Sequence, residues 1–289
     1  MTVEEQLAEE FEGHRDHLRA VAYRVLGSVA EADDAVQESW LRLARTDTSD
    51  VVNLRAWLTT VVSRISLDLL RARKSRREEP LEAHVPDPLV TPVEADPEAA
   101  AEQADSVTLA MLVVLEALSP RERMAFVLHD MFGVPFEEIG EIVGRSTATA
   151  TQLASRARRR VRATPPAVAD LATQRRVLDA FTSAARRGEF DELVAVLDPD
   201  VTLRADEGSH GPSIVVRGAA TVASRAMAFR QTGLEEVHVL VNGAVGLVSL
   251  RDGRPASVFS PVVRDGRIVE INILTDPERL ARLDLSNLS

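Results

Sequence analysis

The stretch RSTATATQLASRARRRVRA, Arg145–Ala163, begins with small and hydroxyl-bearing residues and ends with five arginines, Arg156, Arg158, Arg159, Arg160 and Arg162. The segment before it, PFEEIGEIVG, joins it through Gly144-Arg145. The pair has the spacing of a helix-turn-helix, in which a first helix braces a second that enters the DNA major groove. Ala148, Thr149 and Ala150 permit close approach near the start of that second helix, and Gln152 and Ser155 are placed to face base edges or phosphates. The arginines would then track phosphates, each neutralised charge contributing through counterion release. The plainer alternative is a solvated helical face whose terminal cations complement the helix dipole.

Such a cluster stands out in a chain of 289 residues with a formal net charge of -11. The acidity is uneven. Residues 80–105, PLEAHVPDPLVTPVEADPEAAAEQAD, hold seven acidic and no basic side chains, whereas 106–163 hold eight basic and six acidic ones. A proline-rich, wholly acidic segment reads as an extended, solvated linker between domains. The length suits two or three domains, each able to bury a core. The absence of cysteine excludes disulfides, thiolate metal sites and a cysteine nucleophile. No apolar run approaches the roughly 20 residues of a membrane span, so no membrane association and a cytoplasmic location are expected.

Helical periodicity organises residues 1–79, with apolar positions at Leu18, Val21, Ala22, Val25 and Leu26, then Ala35, Val36, Trp40 and Leu41, then Leu58, Val62, Ile65, Leu69 and Leu70. Gly27-Ser28 separates the first two helices and TDTSDVVN supplies a polar loop before the third. Residues 106–163 form a second helical unit, with Pro120 and Pro135 at helix starts, where the missing amide costs nothing. Beyond Pro165-Pro166 the pattern changes. Residues 173–197 predict two helices and 219–230 another, among short β-branched runs that predict several antiparallel strands, including a hairpin at Asp265-Gly266. Residues 164–289 are therefore an α+β domain.

A second basic cluster, RARKSRR at 71–77, closes the first helical unit. With Trp57 and Arg64 upstream it could join phosphate contacts to a surface that holds unstacked bases, or be a solvated helix end beside a core tryptophan. At this point YRVLGSVAEADDAVQESWLRLAR and NLRAWLTTVVSRISLDLLRARKSRR resemble region 2 of the extracytoplasmic-function sigma factors of the bacterial sigma-70 family. LSPRERMAFVLHDMFGVPFEEIGEIVGRSTATATQLASRARRRV resembles region 4 of the same proteins. The resemblance implies binding to core RNA polymerase, through its β′ and β subunits, and to promoter DNA. Carried over by position, Asp33, Asp34, Gln37, Glu38, Trp40 and Leu41 would dock on polymerase. Asp50, Asn53, Trp57, Arg64, Asp68, Arg71, Arg73 and Lys74 would read and melt the -10 element, where a pocket for a flipped base offsets the cost of unstacking. Arg145, Ser146, Thr147, Thr149, Thr151, Gln152, Ser155, Arg156, Arg158 and Arg159 would engage the -35 element. Thr151 stands where family members often carry Arg or Lys, so promoter choice does not transfer.

QRRVLDAFTSAARRGEFDELVAVLDPDVTLRAD and the strands after it resemble the SnoaL-like domains of the nuclear-transport-factor-like superfamily, a cone of curved sheet and helices around a pocket. A subgroup of these sigma factors carries such a domain as a built-in regulator. Its signature stretches have counterparts in HVPDPLV (84–90), DEGSH (206–210) and DPERL (276–280), each departing from the usual wording: the linker tryptophan and the run of glycines are missing. Pro86, Asp87, Pro88, Asp206, His210, Asp276, Pro277 and Arg279 are the regulatory interdomain candidates. A small ligand in the pocket is possible on this resemblance. Two other readings stand beside it. One is a ligand-sensing DNA-binding regulator, which would more naturally dimerise on a palindrome. The other is a SnoaL-type enzyme using Asp206 and His210 as acid and base, for which no complete constellation is evident. His14 and His17 lack a third ligand, so no metal and no cofactor are expected.

Overall fold

The computed structural model describes residues 3–46, 51–76, 83–93, 107–163, 169–208, 211, 213–229, 233–283 and 285. The chain divides into two compact units: Met1–Glu79 with Val114–Pro165, and Pro80–Val113 with Pro166–Ser289.

In the first unit α1 (Val3–Leu26), α2 (Val29–Leu43) and α3 (Leu54–Arg76) form a bundle. Phe11, Leu18, Val21, Ala22, Val25 and Leu26 make the buried stripe of α1, and Ala32, Ala35, Val36, Ser39 and Leu43 that of α2. Gly27 adopts φ +68°, a left-handed conformation that ends α1. Ser28 then caps α2 by accepting from the Glu31 amide. After α4 (Leu109–Glu116), which straddles the division between the units, come α5 (Pro120–Phe126), one wider π turn (Val127–Met131) that the sequence pattern did not disclose, α6 (Phe136–Val143) and α7 (Thr147–Ala163). Ser119 and Glu122 form a reciprocal capping box around Pro120.

The two helical segments expected over 1–79 and 106–163 are both present, and α5–α7 pack with α1–α3 in one compact unit. Buried Arg123 donates to Glu116 at 2.8 Å and to the Val25 carbonyl at 2.9 Å. Arg73 donates to the Leu26 carbonyl at 3.0 Å and to the Glu31 carboxylate. A buried guanidinium needs pairing and hydrogen bonds, and these arginines gain them by joining helices distant in sequence.

The second unit is a seven-stranded sheet in the order β1-β4-β5-β6-β7-β2-β3, comprising β1 (Val90–Pro92), β2 (Leu197–Asp206), β3 (Ile214–Arg217), β4 (Glu235–Val241), β5 (Ala244–Arg251), β6 (Arg254–Arg264) and β7 (Arg267–Leu274). Helices α8 (Leu171–Arg187), α9 (Phe190–Val196) and α10 (Ala219–Phe229) pack on it, and the single turn α11 (Pro277–Leu280) follows β7. The core joins Phe181, Leu193, Val201, Val222, Ile268 and Ile271. Asp265-Gly266 is the expected hairpin turn, with both φ positive, and Asn242-Gly243 and Asp252-Gly253 repeat the device. The sheet is not wholly antiparallel: β2 runs parallel to β7. Helices α8 and α9 precede β2 and α10 follows β3, while β1 and β3, of three and four residues, are too short for an alternating pattern to show.

The expected solvated linker over 80–105 also differs where it is described. Ala83, Val85, Pro86 and Pro88 are buried, and Val90–Pro92 pairs with β4 at the edge of the sheet. Asn242 fixes the approach, donating its amide to the Leu89 carbonyl at 2.8 Å and accepting the Leu89 amide on Oδ1 at 3.0 Å. An edge strand tolerates the prolines, and their apolar rings have a sheet against which to bury. Residues 94–106 lie outside the described set.

Candidate functional site

The geometry of α7 separates its two faces. Ala150, Ala154, Ala157 and Val161 are buried at helical spacing, and the small side chains allow close packing on α5 and α6. Gly144 is left-handed at φ +65°, ending α6. Gly140 allows the turn to close: a Cβ there would lie 2.8 Å from the Arg145 carbonyl oxygen. Ser146 caps α7, accepting the Thr149 amide at 3.3 Å.

The opposite face exposes Arg145, Ser146, Thr147, Thr151, Gln152, Ser155, Arg156 and Arg159, with Thr149 half-buried. Arg158 departs from this pattern: it is half-buried and pairs with Asp130 at 2.5 Å. Arg160 meets Glu122 at 3.3 Å. Of the five arginines, Arg156, Arg159 and Arg162 therefore keep the clearest solvent-facing positions.

On α2, Asp33, Asp34, Gln37 and Leu41 are exposed along one face. Asp33 pairs with Arg19 at 2.7 Å and Glu38 with Arg42 at 3.0 Å, while half-buried Trp40 rests on Phe11 with ring centroids 5.2 Å apart. On α3, Arg64, Asp68 and Arg71 are exposed, the last two paired at 3.1 Å, and Trp57 is half-buried. Asn53 is a helix cap, its Oδ1 accepting the Ala56 amide at 3.0 Å. Arg73 does not belong to this exposed set, since its guanidinium is occupied by Leu26 and Glu31 inside the bundle. Asp50 and the Lys74 side chain lie outside the described residues.

In the second unit the three short stretches singled out by resemblance converge on one carboxylate. Asp206 is 3% exposed. Its Oδ2 accepts the Val85 amide at 2.9 Å and Arg279 Nη1 at 2.9 Å, and lies 3.0 Å from His84 Nδ1. Its Oδ1 accepts the Gly208 amide and the Ser213 hydroxyl, each at 3.0 Å. Arg279 also donates to Asp87 at 2.5 Å and to the Val85 carbonyl at 2.5 Å. Asp276 presents Arg279 by capping α11, accepting the Glu278 amide at 2.9 Å, with Pro277 at the first helical position. Burial pushes the Asp206 carboxyl up, but His84, the Val85 amide and Arg279 outweigh it and hold the group well below the ordinary carboxylate range. Pro86 and Pro88 are buried beside this clamp. His210 lies outside the described residues. His84, Val85 and Ser213 are partners that sequence reasoning misses: the first two meet a carboxylate more than a hundred positions away, and Ser213, only seven positions from Asp206, carries no local signal that it turns back onto it.

Asp206 is no free general acid or base, since both carboxylate oxygens are occupied. It also does not line the cavity of about 990 Å³ that opens in this unit between α8, α10 and the sheet, although its neighbour Ala205 does. Among the described residues no cluster of side chains suits a metal ion, and no helix is long and apolar enough to cross a membrane.

Residues 11–76 match the Sigma-70 region 2 family and residues 108–161 match Sigma-70, region 4. The chain is 41% identical to the ECF RNA polymerase sigma factor SigJ of Mycobacterium tuberculosis, over 93% of its own length and 92% of that protein. It is 33% identical to the probable ECF RNA polymerase sigma factor SigI of the same species, over 97% of both. The crystal structure of SigJ aligns with a TM-score of 0.75 at 36% identity, covering 96% of this chain and 99% of that one.

Proposed function

Because the chain belongs to the extracytoplasmic-function RNA polymerase sigma factors, we propose that it binds core RNA polymerase, directs it to specific promoters, and is regulated in cis by its C-terminal domain. The observation that carries the DNA-binding part is the two-sided α7: Ala150, Ala154 and Ala157 lock it inward while Thr147, Thr151, Gln152, Ser155 and Arg156 face solvent. Gln152 and Thr151 read base edges of the -35 element; Arg156 and Arg159 hold phosphates. Arg64, Arg71 and Trp57 on α3 engage the -10 element, and the Asp34, Gln37 and Leu41 face of α2 docks on the β′ subunit, with further contacts to β. An acidic, partly apolar helical face suits a basic partner groove.

Control in cis acts through the tether. Residues 77–108 connect α3 to α4, and the clamp of Asp206 and Arg279 holds His84–Asp87 on the C-terminal sheet. Clamping fixes part of the connection between the two DNA-reading modules, so release changes how far α5–α7 can part from α1–α3 when polymerase engages both. Preference of either tether state for polymerase by 1.4 kcal/mol corresponds to a roughly tenfold change in occupancy. The protein acts in the cytoplasm and catalyses no reaction of its own. Reconstitution with core polymerase on a library of promoter fragments tests the proposal. Discrete start sites that depend on the chain, and that are lost on Gln37→Ala/Leu41→Ala substitution together with co-elution, are expected. Failure of the native chain to co-elute with core polymerase or to select any start site would overturn it.

A further inference from the structure

The cavity of the second unit has a chemistry that defines a ligand. Its buried surface is apolar, built from Phe181, Leu203 and Leu247, with half-buried Phe259 and Ile273 beside them. Phe181 and Phe259 stack at 5.7 Å, forming one continuous aromatic wall. Hydroxyls enter from Thr182, Ser249, Ser257 and Thr275, and among the described residues no histidine lines the space. Such a lining suits an apolar body.

The charged residues of the lining are chiefly at its solvent-exposed rim. Arg186 meets Glu236 at 3.5 Å. Arg225, Arg251 and Arg254 are exposed, and no carboxylate among the described residues pairs with them. Against the four arginines stand Glu207, Glu236 and Asp252, leaving the lining with one net positive charge. That balance suits a monoanion better than a neutral molecule or a dianion.

The cavity also shares its wall with the clamp. Ala205 lines it and Asp206 follows; Thr275 lines it and donates its hydroxyl to the Asp206 carbonyl at 3.1 Å. Pro277 and Leu280 line it from the same helical turn that carries Arg279. A molecule filling the cavity presses on both elements that hold His84–Asp87. We propose that the cavity is a receptor site for an amphipathic carboxylate, its apolar body on the Phe181–Phe259 wall and its anion at the rim arginines, and that occupancy alters the hold of Asp206 and Arg279 on residues 84–87. The proposal does not depend on the transcriptional role.

The test uses the full chain with dodecanoate as probe and dodecanol as its uncharged counterpart, read by calorimetry and by hydrogen exchange of residues 84–87. Saturable one-to-one binding of dodecanoate, at least tenfold tighter than dodecanol, is expected, with amide exchange at His84, Val85 and Asp87 changed several-fold at saturation. Ser257→Trp, which fills the cavity, removes binding. The double variant Arg251→Glu/Arg254→Glu, confined to the exposed β5–β6 hairpin and so sparing the core, weakens dodecanoate about tenfold and leaves dodecanol unchanged. Absence of saturable binding, or equal binding by Ser257→Trp, would overturn the site; equal affinity for dodecanol would overturn its anion selectivity; binding without any change at residues 84–87 would overturn the coupling.

Discussion

Arg279 Nη1 donates to Asp206 Oδ2 at 2.9 Å, and the same guanidinium reaches Asp87 through Nε, so one side chain holds a segment 192 residues earlier in the chain. Both members of the Arg279–Asp206 pair are largely buried, with side-chain exposures of 16% and 4%. Each therefore depends on the other for compensation of its desolvation.

Arg279→Ala leaves the Asp206 carboxylate buried without its guanidinium. Breaking a buried pair in this way costs about 3 kcal/mol. Urea unfolding followed by a probe in the C-terminal unit should show that loss, and limited proteolysis should open the chain near residues 83–93. Unchanged stability together with unchanged protection would contradict the clamp.

The depressed Asp206 carboxyl gives a pH signature. The native group stays ionised where the unfolded one, near pKa 3.9, takes up a proton, so its stabilising contribution is complete above about pH 4 and declines as pH falls below that. The acid limb of the stability profile should flatten in Asp206→Asn, even though that variant is less stable at neutral pH. An acid limb identical to that of the native chain would show that Asp206 does not carry it.

Arg73 and Arg71 lie two residues apart but face different tasks. Arg73→Ala removes hydrogen bonds to Leu26 and Glu31 and should lower the stability of the helical unit by about 1–3 kcal/mol. Arg71→Ala, on the exposed face, should leave the melting temperature near native and reduce promoter opening. Thermal melts paired with open-complex assays separate the two.

These two arginines also show what the sequence could disclose. Periodicity and turn chemistry located the helices of the first unit, the α6–α7 turn and the Asp265-Gly266 hairpin, because those features are set by local sterics. RARKSRR gives no local sign of which arginine turns inward, since that depends on the carbonyl of Leu26 and the carboxylate of Glu31 more than forty residues away. The acidic segment hides its docking for a related reason. Proline and negative charge argue for solvation, while the docking of Val85, Pro86 and Pro88 depends on a sheet edge built from residues beyond 234. The HVPDPLV, DEGSH and DPERL stretches were visible, but their convergence on Asp206 required the fold.

Gly140→Ala should damage the helix-turn-helix selectively. Its Cβ meets the Arg145 carbonyl at 2.8 Å, a backbone atom that must shift, so a loss of about 1–3 kcal/mol is expected. Binding of the polymerase complex to duplex -35 DNA should fall with it, while α2-dependent association with polymerase persists. Loss of both together would indicate general unfolding.

The central claim is most directly tested by run-off transcription with purified core RNA polymerase on genomic promoter fragments, comparing the native chain with Arg279→Ala. The account predicts discrete transcripts that core polymerase alone does not produce, with an intensity altered several-fold by the substitution. Identical transcripts from both forms would contradict control through the clamp, and silence from both, without co-elution with polymerase, would contradict promoter-directed initiation itself.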